Sequence, residues 1–378
     1  MKKLRTIAYL AEPHTEKTAF FRAVGEAVGV SKRLPTWPLS LRGFAQTQVR
    51  AEAALARAKK QPKSALGRWL KLAFLKARYN WARRYFEAHP EEIALCWQGL
   101  TGTRRAFMEG ARDAGAQRLF AELAPLPGRL TLDSEGVNAE SSVPREVAFY
   151  GAVEADQALL AALKDQFEAR APRRADVGQG KGSFSSKDRF LFVPLQVHDD
   201  SQLVLFAGWC GGLEGFLAAL AEASKSLPEG WHLRLKEHPS AKRAFTEDIK
   251  AHIAAGARLV LDNDTDSFAQ VAASQGVVTV NSSMGLQAMF FDKPVVLTGQ
   301  AFWALNGVAN KAANQVELTK ACADAAGLSF DSELRARFLT WLAREYYIGF
   351  EGTTLAEPKQ VMRLIKTVER NIDAQQSL

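Results

Sequence analysis

The chain has 378 residues, 47% of them hydrophobic, and a formal net charge of +8. That length favours two domains with sizeable cores, and the composition excludes a disordered, collagen-like or disulfide-framework protein. Cys96, Cys210 and Cys322 are scattered without metal-ligand spacing, so they read as buried thiols in a reducing compartment. No apolar run approaches the ~20 residues that span a bilayer. The basic start at Met1-Lys2-Lys3 is followed by too short an apolar stretch for a secretory signal, so the cytoplasm is the expected location.

In chain order, short apolar runs predict strands at Thr6–Leu10, Glu92–Gln98, Arg129–Asp133 and Val147–Tyr150, and a helix over Thr103–Ala114. The segment 57–84 carries ten basic residues, from Arg57, Lys59, Lys60 and Lys63 to Arg83 and Arg84, and no acid. Leu66, Trp69, Leu70, Phe74 and Trp81 lie between them, many of these apolar residues at helical spacing. Such a basic amphipathic helix can rest on an anionic inner-membrane surface or hold a phosphate-bearing acceptor. It can equally bury its apolar side and leave its charges in water. No nucleic-acid module accompanies the charge, so no nucleic acid is expected as a partner.

The stretch from Ala171-Pro172-Arg173-Arg174 to Gly182-Ser183 reads as a linker or loop. Its Gly178-x-Gly180-x-Gly182 pattern follows no strand and opens no clear helix, which argues against a nucleotide-binding loop. The second half predicts strands at Phe190–Gln196, Trp231–Lys236, Arg258–Leu261, Val277–Asn281 and Pro294–Leu297. Helices are expected over Gly215–Lys225 and Phe268–Ala273, then a largely helical tail over Ser332–Asp373. This alternation is that of α/β layers with parallel sheets. The expected domains are 1–175 and 185–330, with C-terminal helices over 331–378 packing back across them.

Four motifs stand at predicted strand ends, where open parallel sheets bind ligands. Asn281-Ser282-Ser283-Met284-Gly285 opens a helix, and its hydroxyls and free N–H groups suit an anion; the same residues are also favoured as plain N-caps. Gly285 leaves room for close approach. Lys236-Glu237-His238-Pro239 ends a strand, and His238 can donate to a phosphate or act as an acid. Gln196-Val197-His198-Asp199-Asp200 runs from a buried strand into a turn with two carboxylates, either of which can be a base, a nucleophile or a turn-former. Asp133-Ser134-Glu135 and Asn138 follow a short strand in the first half.

Taken together in this order, Leu132 to Pro144, Val193 to Gln202, Glu237-His238-Pro239 and Asn281 to Leu286 resemble the capsule polysaccharide biosynthesis family, which includes the bacterial β-Kdo transferases. The resemblance implies a GT-B fold, meaning two Rossmann-like domains facing a central cleft, with C-terminal helices closing the structure. It implies a CMP-Kdo donor, a glycan or glycolipid acceptor, and no cofactor. His238, Ser282 and Ser283 would hold the CMP phosphate, with Pro239, Gln196, Lys236 and Gly285 placed in the donor site. Glu135 would face the sugar, and Asp200 would be the carboxylate that forms a sugar adduct in retaining transfer. Asp199 remains the rival to Asp200, and an inverting outcome remains open. The first ninety residues depart from the family pattern, with Ala11-Glu12-Pro13-His14 where a Gly-rich turn is usual. CMP has one phosphate, so Asp262-Asn263-Asp264 is read as a polar turn and no metal is expected. The competing readings are a CMP-sialic acid transferase or UDP-sugar epimerase on the same fold, and a non-catalytic polysaccharide assembly or export factor.

Overall fold

A computed structural model describes residues 5–167, 176–180, 184 and 188–365. Strands run in chain order as β1 (Arg5–Leu10), β2 (Gly29–Leu34), β3 (Glu92–Trp97), β4 (Arg118–Leu123) and β5 (Arg129–Asp133). They continue as β6 (Arg189–Pro194), β7 (Trp231–Lys236), β8 (Leu259–Leu261), β9 (Gly276–Thr279), β10 (Val295–Leu297) and β11 (Asn310–Lys311), and end as β12 (Ile348–Glu351) and β13 (Thr354–Leu355). The chain divides into two compact units. Unit 1 comprises 1–124, 128–143 and 343–378; unit 2 comprises 125–127 and 144–342. The division therefore falls at residue 144, upstream of the expected 175–185, and the C-terminal segment changes unit after Leu342. Most of the expected linker, 171–175 and 181–183, lies outside the described residues.

Unit 1 holds a seven-stranded sheet in the order β13-β12-β5-β4-β3-β1-β2. β2, β1, β3 and β4 are parallel, whereas β5, β12 and β13 pair antiparallel. β3 is buried at every position, as its apolar run IALCW leads one to expect of a central strand. Phe20, Phe21, Val24, Leu95 and Trp97 fill its core. The 24-residue helix Ala65–Ala88 is capped by the Ser64 side chain, which accepts from Gly67 N–H. It packs on the helix Gly102–Asp113. At Gly110 a Cβ would lie 2.7 Å from both Ala82 Cβ and Tyr79 O, so only glycine allows that approach.

Two expectations fail by local competition. The segment around Val147–Tyr150 is a 3₁₀ turn, not a strand. Tyr150 donates its hydroxyl to Pro144 O at 2.8 Å and sets its ring edge-on to Phe338 and Trp341. The tail is helical over Ser332–Trp341 and again over 358–365, but the β12–β13 hairpin interrupts it, because Ile348 and Gly349 pair with β5, and 366–373 of the expected tail lie outside the described residues.

Unit 2 holds a six-stranded sheet in the order β11-β10-β9-β6-β7-β8, parallel throughout. Phe190 to Val193 are fully buried, and this continuous apolar run marks β6 as central. Its neighbours β7 and β9 place three carboxyl ends side by side. The three free cysteines are buried, and burial pushes the Cys96 and Cys322 thiols up to about 12.

Candidate active site

The loops leaving β6, β7 and β9 line one pocket in unit 2, of about 640 Å³ with open solvent included. β6 contributes Pro194 and Leu195, β7 contributes Lys236 to Pro239, and the turn after β9 contributes Ser282, Ser283 and Met284. The predicted His-Pro and Ser-Ser pairs thus meet, although 43 residues or more separate them in sequence.

Each is held by the fold beneath it. Ser240 N–H donates to His238 Nδ1 at 3.0 Å, so the neutral ring carries its proton on Nε2, the nitrogen that can donate to an anion. The loop carrying His238 is anchored by Glu237, which is 2% exposed. Its carboxylate accepts from Phe245 N–H, from Thr246 Oγ1 at 2.9 Å and from Asn263 Nδ2 at 2.9 Å. Ser282 caps the short helix Ser283–Met289 by accepting from Met284 N–H at 3.2 Å, while its own N–H donates to Thr279 Oγ1. Both the cap and the pocket-lining role are therefore present in one residue. The Ser283 side chain is exposed.

Three residues expected to touch the donor are engaged otherwise. Lys236 lines the pocket, but its ammonium donates to Gly178 O, Asn263 O and Thr265 O at 2.9, 2.8 and 2.6 Å. Those bonds use all three protons and leave none for a phosphate. Burial pushes this ammonium below its usual pKa. Lys236 instead ties the 178–180 strip to the turn after β8, and the strip delivers Gln179 to the pocket. Gln196 is buried and donates to Asn281 Oδ1 at 3.0 Å. Asn281 Nδ2 in turn reaches Gln202 O, Phe206 O and Gln300 O, so this pair fixes the loop after β6. At Gly285 a Cβ would stand 2.9 Å from the Trp303 ring; the close approach there is by an indole, not a ligand.

Asp200 is half-buried and is not among the pocket-lining residues. It is the N-cap of the helix Ser201–Phe206, with Oδ1 accepting from Gln202 N–H at 2.9 Å. Asp199 is half-buried in the same turn. Asp262-Asn263-Asp264 forms the expected polar turn, with Asp262 Oδ1 accepting from Asp264 and Thr265 N–H.

Glu135 lies in unit 1, exposed on the loop after β5. That loop is organised by Asp133, which is fully buried. Asp133 accepts from the N–H groups of Glu135, Gly136 and Ser142, from Ser142 Oγ, and from Tyr346 OH at 2.8 Å. Burial and the adjacent Asp133 push the Tyr346 phenol well up. Sequence reasoning also missed Gln179, Ser267, Phe268 and Gln287 as pocket residues; Phe268 and Gln287 lay in predicted helices, and nothing in their spacing set them apart from packing residues.

Residues 158–332 match the family described as Capsule polysaccharide biosynthesis protein. Protein FixF of Sinorhizobium fredii is 27% identical over 290 residues, 72% of this chain and 68% of that protein. The capsule polysaccharide modification protein LipB of Neisseria meningitidis is 26% identical over 129 residues, and this chain spans 31% of its length. Among solved structures, the beta Kdo 2,7 transferase of Thermosulfurimonas dismutans KpsC matches with a TM-score of 0.54 at 12% identity, covering 97% of this chain and 100% of that one. At that identity the likeness is one of fold. Residues 158–332 thus resemble the capsule polysaccharide biosynthesis family, and the chain shares its α/β fold with that KpsC domain.

Proposed function

We propose that the protein transfers Kdo from CMP-Kdo to a glycan or glycolipid acceptor in surface-polysaccharide assembly, in the cytoplasm. The observation that carries this reading is the meeting of His238 with Ser282 and Ser283 in one pocket at the carboxyl ends of three adjacent parallel strands. Cleaving the donor leaves a phosphate dianion and an electron-poor sugar carbon. The Nε2–H of His238 and the two hydroxyls supply donors for the phosphate. In the proposed retaining course, an Asp200 oxygen bonds to the sugar carbon as the phosphate leaves. An acceptor hydroxyl then attacks the same carbon as its bond to Asp200 breaks, and the hydroxyl proton passes to the phosphate dianion of CMP. The reaction as proposed needs no metal or cofactor.

The test is CMP release from freshly generated CMP-Kdo in the presence of a Kdo-terminated acceptor. Wild type is expected to release no more than about one equivalent of CMP without acceptor and to turn over only with it, and His238→Ala to be slower by about 10²–10³-fold. Asp200→Asn, which keeps the helix cap, is expected to be slower still. Unchanged release by both variants, or turnover of a CMP-sialic acid donor in preference, would sink the proposal.

A further inference from the structure

Unit 1 carries an apolar face that its own fold does not cover. In the first turns of the helix Ala65–Ala88, Leu66, Trp69 and Leu70 are 67%, 64% and 54% exposed. Their i, i+3, i+4 spacing puts them on one side. The 36–42 loop runs alongside, pinned by its backbone. Arg78 Nη1 donates to Thr36 O and Pro38 O, Asn80 Nδ2 donates to Ser40 O, and Ser40 N–H donates to Ala77 O. Trp37 meets Phe74 edge-on at 5.7 Å yet stays 70% exposed, and Leu41 is 94% exposed. A firmly held loop that turns a tryptophan and a leucine outward beside an uncovered helical stripe marks an interaction surface.

Charge selects the occupant. Lys59, Lys60, Lys63, Arg68 and Arg42 are exposed on the same helix, the turn before it and the same loop. Between Lys32 and Arg84 there are fourteen Lys and Arg against one acid, Glu52. A second copy meeting this face with its own would bring like charges together. A nucleic acid would satisfy the charges but give Leu41, Leu66 and Leu70 nothing to enter. A bilayer with anionic headgroups offers both phases: an acyl boundary for Trp and Leu, and phosphates for the basic rim. We propose that this face docks on an anionic phospholipid bilayer. No helix among the described residues is long and apolar enough to cross a membrane, so the attachment is interfacial. The proposal rests on unit 1 alone and is independent of the donor reading.

The experiment is co-sedimentation of the full chain with vesicles of phosphatidylcholine, alone or with about one quarter phosphatidylglycerol. Wild type is expected to prefer the anionic vesicles by about 100-fold at low salt and to lose that preference at roughly 0.5 M salt. Trp37→Ser with Trp69→Ser is expected to weaken binding at least about 10-fold. Lys59→Glu, Lys60→Glu and Lys63→Glu together are expected to abolish the anionic preference. Circular dichroism of each variant checks that these surface substitutions leave the fold intact. Equal binding to both vesicle types, no binding by wild type, or binding that neither variant set changes would overturn the proposal. So would a dimer, or retention of an oligonucleotide, that the tryptophan substitutions abolish without affecting vesicle binding.

Discussion

Asp133 in unit 1 and Glu237 in unit 2 occupy comparable places: Asp133 closes its strand and Glu237 directly follows one, both are buried, and each holds the loop that bears a candidate site residue. Their partners differ. Asp133 accepts chiefly from the N–H groups of its own loop, plus Tyr346 from the C-terminal segment. Glu237 accepts from Phe245, Thr246 and Asn263, which come from two other stretches. The first arrangement shapes one loop from within. The second clamps separate loops together, and Lys236 beside it does the same through three carbonyls. Glu135 therefore depends on one turn with a single outside donor, Tyr346, whereas His238 depends on the registration of three segments.

The largest effect should follow from Asp133→Ala, which strips five donors of their acceptor in a fully buried place. A loss of about 3–5 kcal/mol is expected, seen as a marked fall in the thermal or urea midpoint. A midpoint within error of wild type would mean that water replaces the carboxylate. Glu237→Gln should cost less, about 1–3 kcal/mol, because one amide end must face a donor. Its signature should be kinetic, with donor KM rising as His238 loses its setting; a change in stability alone would reduce Glu237 to a plain structural role.

The Tyr346 phenol sharpens the contrast through pH. Its folded pKa is raised above the ordinary 10.0, so the stability it confers is complete below pH 10 and is lost as pH rises above it, where the unfolded chain releases the proton. Tyr346→Phe should flatten part of the alkaline decline in stability measured by denaturant titration. An unaltered alkaline limb would remove Tyr346 from the account. The smallest effect belongs to the Asp200 cap: Asp200→Ala should lower stability by about 1 kcal/mol and Asp200→Asn by only a few tenths. Equal losses for both would show that charge, not cap geometry, matters there.

What the sequence disclosed follows from how local each feature is. β3 and β6 were legible as apolar runs, and β5 and β7 were predicted to the residue. β2 escaped because GVSKRL is a half-exposed edge strand without a clear period, and β12 because four residues acquire strand character only by pairing with β5. The His-Pro and Ser-Ser pairs stood out because a polar cluster at the end of an apolar strand is unusual. Gln196 and Lys236 share that position, yet their hydrogen bonds run to residues 27 to 85 places away in sequence. Spacing along the chain carries no sign of such partners, so a strut and a ligand look alike.

Gly285 has a consequence for the serines one turn ahead of it. The Trp303 ring fills the space in which any side chain would begin, and Thr279 closes the other flank at 3.0 Å. The helix start is seated against an indole from behind, and that contact sets the height at which Ser282 and Ser283 stand above the sheet. A single methyl at Gly285 would raise the seat, and with it both hydroxyls, without altering any atom that faces the pocket.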